Sequence, residues 1–246
     1  MNGNLLKVTQ LKKEAPDSPL APFHLHLEGA SPKVYIVQAT PEMYSQVGLP
    51  EEEKHIQKAV EKRQREFRAG RHAARSAMQN LDLSKPNMTE MPILTGHFRE
   101  PLFPSDISGS ISHTDGICLA ACAQKNEVAS LGIDIESNTA LAEHLFSSIY
   151  TRDEQALLNR TNDLPDTLIF SIKESIFKCC FPFVQVYFDF LDAQITLEPK
   201  NKHSGQFSFA LIGRNQDALK AKLPNLSFHG HYCFDQQYVL SLCYFS

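Results

Sequence analysis

Two short stretches hold the residue types that could do chemistry. Leu131-Gly132-Ile133-Asp134-Ile135-Glu136 sets two carboxylates two positions apart, and Phe170-Ser171-Ile172-Lys173-Glu174-Ser175-Ile176-Phe177-Lys178 sets a carboxylate and a lysine one helical turn apart. In the first, Leu131, Ile133 and Ile135 alternate with small or acidic residues, the signature of a half-buried strand, so Asp134 and Glu136 share one face. In the second, Leu168, Ile169, Ile172, Ile176 and Cys179 make an apolar helical stripe, which predicts that Glu174 and Lys178 project together from the opposite side. Three carboxylates and a lysine converging in this way suit a hard divalent cation. Mg²⁺ in particular takes a few carboxylate oxygens and completes its shell with water and substrate phosphate. Asp134, Glu136 and Glu174 are the candidate metal ligands.

The elements that must position these residues follow from the rest of the pattern. From Glu51 to Leu81 the chain is expected to be helical, with Ile56, Val60, Phe67, Ala74 and Met78 as its stripe and Glu51, Glu52 and Glu53 suiting its N-terminus. If that helix is unbroken, Arg63 and Arg71 flank the stripe, while Arg68 and Arg75 sit farther round. Ile107 to Thr114 is expected as a strand, and Ile117 to Ala123 as its hairpin partner across Asp115-Gly116. Phe23 to Leu27 and Val34 to Val37 read as strands, with His24 and His26 facing solvent, after a loosely held lead-in from Met1 to about Pro22. Asp82 to about Asp106 is irregular and proline-dotted. Beyond Lys178, strands are expected at Ala193–Leu197, Gln206–Leu211, Ser227–Tyr232 and Tyr238–Leu242. This order of elements suggests an α+β protein of two lobes, 1–130 and 131–246, whose halves show no sequence repeat.

At 246 residues, 42% hydrophobic and 21% charged, the chain can bury a real core, and wholesale disorder is excluded. A net charge of −4 argues against general nucleic-acid binding. Cys118, Cys122, Cys179, Cys180, Cys233 and Cys243 form no C-x-x-C pair and sit inside apolar runs, so they read as buried thiols of a reducing compartment. Met1 to Lys7 lacks the sustained apolar region of a signal peptide, nowhere do about twenty apolar residues run together, and the protein is expected in the cytoplasm.

The combination of the two opening stretches resembles the bipartite signature of 4′-phosphopantetheinyl transferases, and is most similar to the Sfp/EntD type that serves siderophore, non-ribosomal peptide and polyketide synthases. Arg68-Ala69-Gly70-Arg71-His72-Ala73-Ala74-Arg75 resembles that family's arginine-bearing helix, which implies Arg63 and Arg71 as contacts of the adenosine 3′-phosphate of coenzyme A. Guanidinium suits this role because its planar fork binds phosphate oxygens bidentately. Gly96-His97-Phe98-Arg99-Glu100-Pro101-Leu102-Phe103-Pro104 is similar to a short family loop that approaches the nucleotide, and Arg99 is its candidate contact. Ser110-Ile111-Ser112-His113 matches a third hallmark, which implies that His113, beside Ser112, meets a coenzyme A phosphate. The resemblance covers about Arg63 to Lys178.

What the resemblance implies is a pseudo-twofold pair of similar α/β lobes with coenzyme A in the cleft between them, acting as a monomer. Phosphopantetheine would pass from coenzyme A to a serine of an apo acyl, peptidyl or aryl carrier protein, releasing adenosine 3′,5′-bisphosphate. Mg²⁺ would sit on Asp134 and Glu136, and Glu174 would serve as ligand, as base, or both. Lys173 and Lys178 would neutralise charge on the bridging and leaving oxygens. The pathway served, whether for an enterobactin-like siderophore, peptide, polyketide or fatty acid, stays open. Two alternatives remain: an Asp-x-Glu enzyme acting on nucleotide sugars or nucleoside triphosphates, and a non-catalytic module binding coenzyme A or a carrier protein. Between the two motif halves, Leu145 or Phe146 either forms part of an exposed apolar patch that receives the carrier helix or packs in the core.

Overall fold

The computed structural model describes residues 6–9, 24–27, 32–81, 90–161 and 163–246, the first two stretches by their backbone. The chain forms two compact units, Met1–Ala129 and Ser130–Ser246. In the first, strands β1 (Leu6–Thr9), β2 (His24–Leu27), β3 (Val34–Gln38), β6 (Ile107–Thr114) and β7 (Ile117–Gln124) make an antiparallel sheet in the order β1-β2-β3-β7-β6. The β6–β7 hairpin turns at Asp115-Gly116 as the sequence predicts, with Thr114 opposite Ile117 and Gly116 at φ 77°. A separate two-stranded ribbon joins β4 (Leu94–Thr95) to β5 (Pro101–Leu102) inside the stretch expected to be irregular. Residues 82–89 lie outside the described residues, as do most of the expected lead-in and the side chains of His24 and His26. Within that lead-in, Leu6–Thr9 is a paired strand and not a loose tail.

The helix expected from Glu51 to Leu81 is broken. α1 covers only Pro50–Glu53, the chain then turns, and α2 runs Glu61–Gln79. Val60, placed in the apolar stripe by periodicity, is 74% exposed and is the N-cap residue of α2. The reason is tertiary. Glu52 is fully buried and pairs with Arg75 at 2.5 Å, whereas in an unbroken helix residues 23 apart would be separated by about 34 Å. Two buried ionic groups that each need a partner outweigh the local helical pattern. α2 lays Ala69, Ala73, Ala74, Ala77 and Met78 against Val37, Ala39, Cys118, Ala120 and Cys122, small residues that allow helix and sheet to approach closely.

In the second unit, β8 (Ser130–Ser137), β9 (Ala193–Pro199), β10 (Ser204–Leu211), β11 (Phe228–Phe234) and β12 (Tyr238–Phe245) form an antiparallel sheet in the order β8-β12-β11-β10-β9. α3 (Glu143–Ile149), α4 (Arg152–Arg160) and α5 (Thr167–Val184) lie between β8 and β9 in the chain, and a short α6 (Gln216–Lys220) between β10 and β11. The predicted stripe of α5 is fully buried: Leu168, Ile169, Ile172, Ile176 and Cys179 are all inaccessible. β8 is not half-buried, however; Ser130 through Ile135 are buried on both faces. Its even-numbered face lies under α5, with the Ser130 hydroxyl donating to Cys179 O at 2.7 Å and Gly132 beneath Ser175. All six cysteines are free, and only Cys233 is not buried.

Candidate functional site

Asp134 and Glu136 do share a face of β8, and that face is the one α5 crosses. Asp134 is 2% exposed, and Lys178 Nζ donates to its Oδ1 at 2.7 Å and to Ile133 O at 3.2 Å. Glu174 and Lys178 therefore do not point away from the packed side of α5; they stand at its rim, above Asp134. Burial raises the Glu174 carboxyl above its ordinary range, Lys178 lowers it, and the charge of Asp134 raises it again. Asp134, Glu174 and Lys178 are thus one electrostatic cluster. Glu136, one pleat farther along, is half-buried. Among the described residues, no three His, Cys, Asp or Glu side chains are gathered closely enough to hold a metal by themselves.

Lys173 lies elsewhere. Its ammonium donates to Ile149 O at 2.8 Å, Glu154 Oε2 at 2.7 Å and Phe190 O at 2.9 Å, and its side chain is 1% exposed. Burial lowers its pKa, and the bond to Glu154 raises it again. An ammonium has three hydrogens, and these contacts use all of them. The expectation that Lys173 faces substrate phosphate does not agree with that enclosure.

The first unit gathers cations. Arg63 Nη1 donates to His113 Nε2 at 3.0 Å. A guanidinium can only donate, so Nε2 accepts and the ring proton sits on Nδ1, which faces Glu66 Oε2 at 3.9 Å. Arg71 lies 4.1 Å over the Phe67 ring, donates from Nε to Ile93 O at 2.8 Å, and from Nη2 reaches Leu94 O and Thr95 Oγ1 at 3.3 Å. Burial pushes its pKa down to about 10, with Glu52 opposing this and the positive charge of Arg63 adding to it. The two arginines feel each other, which is the condition an anion relieves. Ser112 is buried beside His113 on β6. Arg99 is exposed at the tip of the β4–β5 ribbon in a left-handed backbone, φ 70°. Arg68 and Arg75 are held by Glu53 and Glu52.

The chain matches the 4′-phosphopantetheinyl transferase N-terminal domain over residues 51–123 and the 4′-phosphopantetheinyl transferase superfamily over residues 130–243. It is 32% identical over 202 residues to the 4′-phosphopantetheinyl transferase Npt of Nocardia iowensis, an alignment spanning 78% of this chain and 86% of that protein. The chain belongs to the 4′-phosphopantetheinyl transferase superfamily. Svp of Streptomyces mobaraensis, another transferase of the superfamily, is 34% identical over 186 residues, covering 71% of this chain and 72% of Svp. Enterobactin synthase component D of Escherichia coli K12 is 30% identical over 193 residues, covering 76% and 80%. Both the arginine-bearing α2 and the β8–α5 pair fall inside the matched regions.

The residue that sequence reasoning missed is Glu154. It is buried, closes the N-terminus of α4 through Thr151 N at 2.8 Å, accepts Ile195 N at 2.8 Å and holds Lys173. The Thr151-x-x-Glu154 spacing of a capping box was the available signal.

Proposed function

We propose that this chain transfers 4′-phosphopantetheine from coenzyme A to a serine hydroxyl of an apo acyl, peptidyl or aryl carrier protein. The observation that carries the reading is the meeting of Asp134, Glu174 and Lys178 on β8 and α5 in a chain of this family. In the reaction the serine oxygen forms a bond to the phosphorus bearing pantetheine, the bond from that phosphorus to the bridging oxygen breaks, and adenosine 3′,5′-bisphosphate leaves.

The donor set suits Mg²⁺: Asp134 and Glu136 offer hard oxygens, Glu174 stands within reach of the charge on Asp134, and the ion needs few protein ligands. When bound, Mg²⁺ would neutralise pyrophosphate oxygens and make the phosphorus a better electrophile. Glu174 would complete the ligand set or take the serine proton, directly or through water. As a base it would have to stand clear of the ion, because a carboxylate bound to Mg²⁺ is a weakened base. Lys178, held at Asp134, would meet charge growing on the leaving oxygen. In the first unit Arg63, Arg71 and His113 would hold coenzyme A phosphate, with Ser112 and Arg99 as further contacts.

The kinship with enterobactin synthase component D supports carriers of siderophore assembly as first candidates. No helix among the described residues is long and apolar enough to cross a membrane. Six free thiols suit a reducing compartment, which supports a cytoplasmic enzyme, and it would act there as a monomer. The test is transfer of labelled phosphopantetheine from coenzyme A to a panel of apo-carriers, with Mg²⁺ and with chelator. Mg²⁺-dependent labelling of at least one carrier is expected. Binding of coenzyme A with no labelling of any carrier overturns the enzymatic reading.

A further inference from the structure

The two units share one internal device. In the second, Glu154 sits three residues into the cap of α4, accepts the cap residue's N–H, pairs with Lys173 of the long helix and accepts the N–H of Ile195, 41 residues on. In the first, Glu52 sits at the same place in α1, accepts Leu49 N at 3.2 Å, pairs with Arg75 of the long helix and accepts Ile93 N at 2.9 Å, again 41 residues on. Both glutamates are buried. One carboxylate thus ties together a short helix, the long helix and the strand region that follows, twice in the chain. The sequence halves conceal this because the cationic partner differs, Arg in one unit and Lys in the other, and falls at a different separation, 23 residues against 19.

A wiring repeated in a unit that lacks the Asp134–Glu174 cluster is architecture and not phosphate chemistry. We propose that Glu154 and Lys173 are positioning residues for the transfer reaction, acting together to set the depth and rotation of α5, and that Lys173 touches no substrate phosphate. The inference rests on the transferase reading above. Lys173 directly precedes Glu174 and lies five residues before Lys178, so a shift of α5 at this fastening displaces both groups from Asp134. The three acceptors around the ammonium, two of them backbone carbonyls on separate segments, leave it no hydrogen to offer a ligand.

The experiment compares Lys173→Arg, Glu154→Gln and the double variant Glu154→Gln/Lys173→Met with the parent. Folded fraction is read by circular dichroism, and kcat and the KM for coenzyme A are measured well below the lowest Tm. A phosphate contact tolerates arginine, since guanidinium binds phosphate at least as well as ammonium, whereas an enclosure shaped for three short bonds does not. Lys173→Arg and Glu154→Gln are expected to lose about tenfold in kcat per folded molecule with the KM for coenzyme A within about twofold of the parent. The double variant removes the buried charge together with its partner but not the loss of the bonds to Ile149 O and Phe190 O, and is expected to have a higher Tm than Glu154→Gln, a kcat still below the parent's and a KM for coenzyme A within about twofold of the parent. Parental kcat in folded Lys173→Arg, or a double variant that is folded but has its KM for coenzyme A raised about tenfold or more, overturns the proposal. Unchanged kcat in folded Glu154→Gln would make the pair a matter of stability alone and overturn it as well. A parent that labels no carrier refutes the transferase reading and the positioning role with it, whereas the outcomes above overturn the positioning role alone.

Discussion

Gly132 on β8 lies directly beneath Ser175 of α5, so close that a Cβ on the glycine would overlap the Ser175 carbonyl oxygen and stand 2.7 Å from Cys179 N. The obstacle is helix backbone, which cannot swing aside as a side chain would. Gly132→Ala must therefore lift α5, and with it Glu174 and Lys178, from Asp134. Overpacking of this kind costs about 1–3 kcal/mol, a loss of several degrees in Tm. The expected result is a folded variant with kcat reduced about tenfold or more, measured by carrier labelling. Parental kcat would show that α5 can rise without disturbing the cluster.

Glu136 and Asp134 separate chemistry from stability. Glu136 is only half-buried, so Glu136→Ala should lower Tm less than Asp134→Ala does while transfer falls at least about a hundredfold, as expected when one of few metal ligands is removed. Asp134→Ala should lose transfer and also Tm, because it leaves the Lys178 ammonium without its carboxylate at 2.7 Å. Turnover of Glu136→Ala near the parental rate at saturating Mg²⁺ would remove it from the metal site.

Arg63 offers the cleaner test of the 3′-phosphate assignment. Arg63→Ala should raise the KM for coenzyme A about tenfold or more with little change in kcat, and should leave dephospho-coenzyme A, which lacks that phosphate, unaffected. Arg71→Ala should add a loss of Tm, since its guanidinium also holds Ile93 O and Leu94 O. A defect of Arg63→Ala that persists with dephospho-coenzyme A would move the phosphate elsewhere.

His231 should make the fold acid-sensitive. It is buried on β11, its Nε2 meets no hydrogen-bond partner among the described residues, and burial, with Lys200 and His229 adding positive charge, lowers its pKa to about 4. The unfolded imidazole titrates near 6.5, so between these values the unfolded chain binds the extra proton. Its contribution is complete above about pH 6.5 and is lost as pH falls toward 4, by up to about 3 kcal/mol. His231→Phe keeps a ring against Tyr244 and should flatten Tm against pH across that window relative to the parent. An unchanged slope would assign the acid sensitivity to other groups.

At the candidate carrier surface the two expected residues part company. Leu145 is 37% exposed on α3, whereas Phe146 packs edge-on against Tyr150 with ring centroids 5.1 Å apart. Leu145→Ser should raise the KM for the carrier about fivefold or more at constant Tm. Phe146→Ser should lower Tm by several degrees. A parental carrier KM in Leu145→Ser would place docking away from α3.

The sequence by itself was enough for the α+β class, the β6–β7 hairpin, the four C-terminal strands, the buried stripe of α5 and the family motifs. These rest on short-range facts: residue periodicity, a two-residue turn and the spacing of side chains on a single element. It could not show where α2 begins, because the break after α1 exists for the sake of Glu52 and Arg75, partners separated by 23 residues. Nor could it distinguish Lys173 from Lys178. Both are lysines on one helix in one motif, and only the packing of α5 sends the first into a carbonyl-lined enclosure with Glu154 and the second to Asp134. The repeated glutamate device escaped for the same reason, since its partners come from segments 41 residues apart and are chosen by burial and hydrogen-bond need, which periodicity does not record.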